Sequence, residues 1–141
     1  KLIDINYHIY GSPKYLEKHG FPKNTSDLNK HSFISFGRGA PSPVYNPDWA
    51  LKLGTKDNKK RKTVMKVNSV YGLLLAVQSG VGLAALPDYI TVNQPNIVKV
   101  LPNIEGPITE AHFVYPQSMK NVARVQAFRN FLYSKISEWE F

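Results

Sequence analysis

The chain contains no cysteine, which removes disulfide bridges and thiolate metal sites and is consistent with a reducing compartment. Its apolar runs stay well short of the roughly 20 residues of a membrane-spanning helix. The opening stretch, KLIDINYHIY, lacks the charged-then-apolar order of a secretory leader. Catalytic signatures are equally scarce. There is no Gly-x-Ser-x-Gly elbow, and Gly80 and Gly82 follow a helix-like run, whereas a dinucleotide-binding turn opens one. His8, His19, His31 and His112 lack both paired short spacing and cysteine partners, so a metal site is not expected. Asp4, Asp27, Asp48, Asp57 and Asp88 fall mostly at caps, turns or chain ends, where carboxylates serve structure. No acid/base pair stands out, so neither enzymatic activity nor a cofactor is expected. No internal repeat or low-complexity tract divides the 141 residues, a length sufficient for one ordinary core.

Positive charge is present in excess but concentrated. The net charge is +8. Residues 52–66 carry Lys52, Lys56, Lys59, Lys60, Arg61, Lys62 and Lys66 against Asp57 alone, seven minus one or +6, which leaves +2 for the remainder. The turn formers Asp57 and Asn58 lie between two strand-like runs, so a solvated hairpin tip is the simplest reading. Nucleic-acid contact through residues 56–66 is the alternative, because several cations on one face are what phosphates require.

The densest information lies in residues 67–89, VNSVYGLLLAVQSGVGLAALPDY. Asn68 or Ser69 is placed to cap a helix. Val70, Leu73, Leu74 and Val77 recur at helical spacing and form one apolar face. Gly80 stands where the chain leaves the helix, with Val81 as the hydrophobic stop contact. Residues 82–86 are short and apolar, which suits a buried strand ended by Pro87, and strands buried on both faces belong to α/β sheets.

Elsewhere, residues 3–10 alternate as a strand, and Pro13 follows the capping residue Ser12 at a helix start. Lys14 should face solvent while Tyr15 and Leu16 pack inward. Thr25 or Ser26 can cap a one-turn helix ending before Lys30. Strands are expected at 32–36, 49–53, 97–101 and 109–115, with a Gly/Pro-rich loop over 37–47. A last helix from Asn121 to about Trp139 would align Val122, Val125, Phe128, Leu132, Ile136 and Trp139 on one face. That face implies exposed apolar surface or self-association.

These pieces resemble, in order, the effector-binding domain of LysR-type transcriptional regulators. SGVGLAALPDYI after an asparagine-started helix is similar to that family's small-Gly-x-Gly-apolar-small-x-Leu-Pro segment. IYGSPKYLEKHG resembles its Ser-Pro-x-Tyr-Leu helix, followed by HSFISF. DWALKL resembles its tryptophan-bearing strand, and VKVLP and FVYP with ARVQAFRNFL resemble its closing strand and C-terminal helix. The resemblance covers nearly the whole chain. It implies an α/β, periplasmic-binding-protein-like domain over 1–141, with about 8–95 as one complete lobe and 1–7 and 96–141 as crossover and part of the other. Nothing here looks like the family's N-terminal winged helix-turn-helix, its linker helix or the first half of its effector domain. The chain is therefore expected to be a fragment that reaches DNA only through a domain absent from it.

The expected role is sensing. Asn68 and Ser69 would present polar side chains beside unpaired N–H groups, where a helix dipole favours a small anion; plain capping is the competing explanation. The resemblance carries a second wall onto Ser35 and Phe36, flanked by Ile34. Arg38 could pair with a carboxylate, or be a solvated loop cation. The resemblance further implies a small, anionic effector, like subunits in a dimer or tetramer, no membrane and a cytoplasmic location. A stand-alone solute-binding module is the other alternative.

Overall fold

In a computed structural model, residues 1–37, 46 and 48–139 are described. Seven strands and four α-helices lie along this part of the chain. The strands are β1 Ile3–Ile5, β2 Tyr7–Gly11, β3 Phe33–Phe36, β4 Thr63–Val67, β5 Ala84–Pro87, β6 Val98–Val100 and β7 Thr109–Ala111. The helices are α1 Pro13–His19, α2 Trp49–Lys52, α3 Val70–Gln78 and α4 Ala123–Ser137.

The sheet that positions the site is mixed. β2 pairs antiparallel with β5 on one side and β6 on the other, and β3 pairs parallel with β4. The two groups join where Ile34 N–H donates to Leu83 O (2.8 Å) and Leu83 N–H to Ser32 O (2.9 Å), giving the order β4-β3-β5-β2-β6. β6 thus continues the sheet past residue 95. β1 and β7 form a separate antiparallel pair, so the single strand expected over 3–10 divides at Asn6, whose carbonyl is taken by Asp88 N–H (3.0 Å).

Alternation along the strands builds two cores. Tyr7, Ile9 and Phe33 pack on one face with Tyr15, Leu16, Leu28 and Trp49. Tyr10 and Ile34 pack on the other with Leu73, Leu74, Val77 and Leu86. Neighbours on β2 and β3 therefore serve opposite cores, as a period of two demands. Each fully buried leucine or phenylalanine contributes about 1.5–3 kcal/mol.

The helix ends follow local chemistry. Ser12 Oγ accepts from Tyr15 N–H ahead of Pro13, and Tyr15 and Leu16 are buried. Ser69, not Asn68, caps α3. Gly80 has φ 78°, a left-handed conformation that suits glycine, and Val81 N–H reaches back to Ala76 O. Neither Thr25 nor Ser26 makes a side-chain cap on the 3-10 turn Asp27–Lys30; Asn24 Oδ1 accepts from Asp27 N–H there instead.

Residues 49–53 correct the expectation of a strand. α2 is helical, with Trp49 N–H bonded to Asn46 O, Leu51 N–H to Asp48 O and Leu53 N–H to Trp49 O. Ala, Leu and Lys favour helix, and Trp49, Ala50 and Leu51 are buried consecutively, which a half-exposed strand does not allow. The basic segment is consequently no hairpin tip. It links a helix to β4 through a single turn, Lys56–Asn58. β7 ends at Ala111, short of Tyr115, because β1 offers only three partners. α4 buries no residue fully; Val122, Val125, Leu132 and Ile136 are half-buried, and Phe128 and Trp139 are 51% and 56% exposed.

Candidate functional site at the ends of two parallel strands

β3 and β4 run in register, Ser35 opposite Lys66 and Phe36 opposite Val67. Both strands end together. Gly37 N–H donates to Val67 O (2.8 Å), and a Cβ on Gly37 would lie 3.6 Å from Asn68 N. The chain then turns through Asn68 and Ser69 into α3. Carboxyl ends of parallel strands meeting a helix N-terminus are where open α/β sheets hold ligands.

α3 packs closely on the end of β4. A Cβ on Gly72 would stand 2.5 Å from Val67 Cγ1, so only glycine lets the first turn approach this strand. Ser69 Oγ accepts from Gly72 N–H at 3.3 Å, and Ser69 O accepts from Leu73 N–H. The N–H groups of Val70 and Tyr71 have no acceptor among the described residues. Two oriented donors therefore remain at the positive end of the helix dipole, where an anion is favoured.

The structure brings four of the six sequence-derived site residues to this place. Asn68 and Ser69 are exposed, Ser35 is buried and Phe36 is half-buried beside them. Ile34 lies one residue deeper, with its side chain in the core against α3. Arg38 lies outside the described residues. This arrangement can bind and orient an anion.

A second polar constellation escaped the sequence reading. The Asp88 carboxylate accepts from Tyr10 Oη–H (2.9 Å) and Lys99 Nζ (3.1 Å), and both its oxygens lie 2.9 Å from His8 Nδ1. The Thr91 hydroxyl lies within hydrogen-bond reach of both Tyr10 Oη (3.1 Å) and Asp88 O (2.8 Å) and shares its one proton between them. His8, Tyr10 and Asp88 are buried. Burial, above all, pushes the Tyr10 phenol well above its ordinary value; the Thr91 bond works against this and the Asp88 charge adds to it. Tyr10 is thus a fixed donor. The one available signal was the spacing of His8 and Tyr10 on the same face of β2.

The basic segment is less free than its composition suggests. Arg61 donates to Asn29 Oδ1, Ala50 O and Thr25 O and lies 5.6 Å above the Phe33 ring. Burial lowers its pKa. Lys60 pairs with Asp48. Among the described residues, no group of three His, Cys, Asp or Glu side chains is placed to hold a metal ion, and no helix is long and apolar enough to cross a membrane.

Comparison with known proteins places these features in a family context. The family model for the LysR substrate binding domain matches residues 1–136. An uncharacterized HTH-type transcriptional regulator of Haemophilus influenzae is 31% identical over 120 residues, covering 82% of this chain and 40% of that protein. The HTH-type transcriptional regulator CrgA of Neisseria meningitidis serogroup B is 24% identical over 139 residues, 96% of this chain and 45% of its own length. The chain thus spans less than half of these curated relatives. Among solved structures, the CrgA regulatory domain superposes with TM-score 0.73 at 24% identity, covering 96% of this chain and 66% of that one. The regulatory domain of AphB from Vibrio vulnificus superposes with TM-score 0.68 at 18% identity, covering 95% and 67%. The shared fold is the α/β, periplasmic-binding-protein-like one.

Proposed function

This chain belongs to the LysR substrate-binding-domain family, and from that premise we propose that it is the sensing part of a DNA-binding transcriptional regulator that takes a small anionic effector in the cleft between its two lobes. The observation carrying this reading is the junction of β3, β4 and α3: two N–H groups, at Val70 and Tyr71, without acceptors among the described residues, the exposed Asn68 and Ser69, and the adjoining Ser35 and Phe36. A carboxylate or sulfate accepting from both N–H groups would complete the first turn as a ligand completes a helix N-terminus.

The role is binding: what the described residues of the junction offer is oriented backbone donors at the positive end of a helix, which suits holding an anion. Residues 8–95, with β6 added, form the lobe that bears this half of the pocket. The other half would come from a part of the full regulator outside this chain, as would contact with DNA. Ligand would then act by favouring one lobe arrangement, which like subunits in a dimer or tetramer transmit in the cytoplasm. The half-buried and exposed apolar residues of α4 fit an element completed by another segment or subunit.

A half-pocket should bind weakly. Calorimetry with sulfate and a panel of small carboxylates is expected to give affinities at least about tenfold tighter, about 1.4 kcal/mol, in a longer protein that supplies the second lobe. Equal affinity in the two proteins would contradict the reading.

A further inference from the structure

The sensing role leaves one strongly charged face of the lobe unused. After α2 the chain runs through two successive turns, closed by Thr55 N–H to Lys52 O (3.1 Å) and Lys59 N–H to Lys56 O (3.2 Å). Each such turn holds its end Cα atoms within about 7 Å, which gathers Lys52, Lys56 and Lys59 on one short stretch. Asp57 takes the corner at φ 55°, a left-handed conformation that aspartate tolerates. The segment is pinned where it leaves: Arg61 N–H donates to Leu51 O (2.9 Å), and its guanidinium donates to Ala50 O, Thr25 O and Asn29 Oδ1. Residues 23–30 therefore lie alongside, and a Cβ on Gly54 would stand 2.6 Å from Thr25 Cβ, so Lys23 joins the face. Lys30 and Lys60 are matched by Asp27 and Asp48. Lys23, Lys56 and Lys59 are exposed and Lys52 half-buried, and none of these four has an acidic partner among the described residues.

We infer that this face is a sequence-independent contact for the phosphate backbone of duplex DNA, made by this chain itself in addition to the DNA contact supplied from outside it. This departs from the expectation that the chain reaches DNA only through an absent domain. The chemistry of the face selects phosphate. Its one guanidinium, the group suited to bidentate reading of a carboxylate or a guanine edge, is committed to acceptors within the fold. What remains are ammonium point charges on flexible stems, which meet phosphates without regard to sequence. An acidic protein would need an apolar anchor, and among the described residues no large apolar side chain is exposed between Asn46 and Thr63. A freely solvated loop is the baseline. Arg61 argues against it, because a segment held by α2 at one end and by Arg61 at the other has little order left to lose on binding. The anion site at α3 is separate, with the length of β4, about 16 Å, between Lys59 and Asn68.

The test is fluorescence anisotropy with a labelled duplex of arbitrary sequence, titrated at several salt concentrations between about 50 and 200 mM. Saturable binding is expected, and the slope of log affinity against log salt should fall in magnitude by about 2 to 3 when Lys52→Ala, Lys56→Ala and Lys59→Ala are combined, with an unchanged circular dichroism spectrum. Lys120→Ala, Arg124→Ala and Arg129→Ala together remove the same charge elsewhere and should leave the slope nearly as it was. Asp57→Asn keeps a residue that suits the left-handed corner, removes a negative charge and should tighten binding by about twofold. No saturable binding, or an equal fall in slope from both triple variants, overturns the inference. So does a polyglutamate peptide that binds as tightly as the duplex and depends on the same three lysines, which would make the partner an acidic protein. Ser69→Ala should leave duplex binding unchanged, so this face and sulfate binding by α3 succeed or fail independently.

Discussion

The Tyr10 hydroxyl donates to the Asp88 carboxylate across 2.9 Å, and this contact locks β2 to the turn that follows β5. Tyr10→Phe keeps the ring's packing and deletes that donor. A buried hydrogen bond to a charged group contributes about 1.5–3 kcal/mol, so urea denaturation should register a loss of about 2 kcal/mol. A change below a few tenths of a kcal/mol would mean that water replaces the hydroxyl without cost.

Gly72 tests how tightly α3 sits on β4. Gly72→Ala brings a methyl into Val67 Cγ1, and Val67 is β-branched and stiff. The expected loss is about 1–3 kcal/mol, measured by urea denaturation. Combining it with Val67→Ala should recover part of that loss relative to the sum of the single changes. Simple additivity would place the strain elsewhere.

Stability should respond to His31. Burial holds its imidazole below the ordinary 6.5, the nearby His19 acting in the same direction, and the buried Nδ1 has no hydrogen-bond partner among the described residues. A lowered pKa in the folded state means that the unfolded chain binds the proton first. Stability is therefore full above about pH 6.5 and falls as the pH drops toward the folded value. NMR titration should place His31 below 6.5, and His31→Gln should flatten the dependence of melting temperature on pH in that window. A His31 titration at or above the ordinary value would contradict the burial argument.

The α4 surface should be sticky. Phe128 lies 5.7 Å from Phe113 and 6.5 Å from Phe131, centroid to centroid, and Phe128 and Phe131 remain more than half exposed. Nearby, Leu2, Ile3, Ile5, Leu132 and Ile136 line an open apolar pocket of about 350 Å³. Concentration-dependent association by light scattering, or binding of a hydrophobic dye, is the expected behaviour. A monodisperse monomer that binds no dye would contradict it.

These elements differ in how far the sequence disclosed them, and the difference is physical. The cap and stop of α3 were legible because Ser69, Gly80 and Val81 act within one turn of the helix. The junction of β3 with β4 was legible only through resemblance to a family, since parallel pairing joins residues far apart in the chain, Ser35 with Lys66 and Phe36 with Val67. α2 was misread because the consecutive apolar residues Trp49, Ala50 and Leu51 also fit a short strand buried on both faces, and a single helical turn is too short to show a helical period. The Asp88 cluster was invisible: His8 and Tyr10 meet a carboxylate about 80 residues away, and only the antiparallel pairing of β2 with β5 brings them together. Arg61 was misplaced among solvated cations because its carbonyl partners at Thr25 and Ala50 leave no mark in composition.

The central claim is that an anion docks on the first turn of α3. Its most direct measurement is an NMR titration of backbone amides with sodium sulfate at constant ionic strength. Saturable shifts confined to Gly37, Asn68, Ser69, Val70 and Tyr71 are expected, with an affinity of order millimolar that Ser69→Ala alters. Shifts that never saturate, or that spread over Lys56, Lys59, Lys62 and Lys66 while Val70 and Tyr71 stay still, would show that the chain attracts anions through surface charge alone and would remove the site.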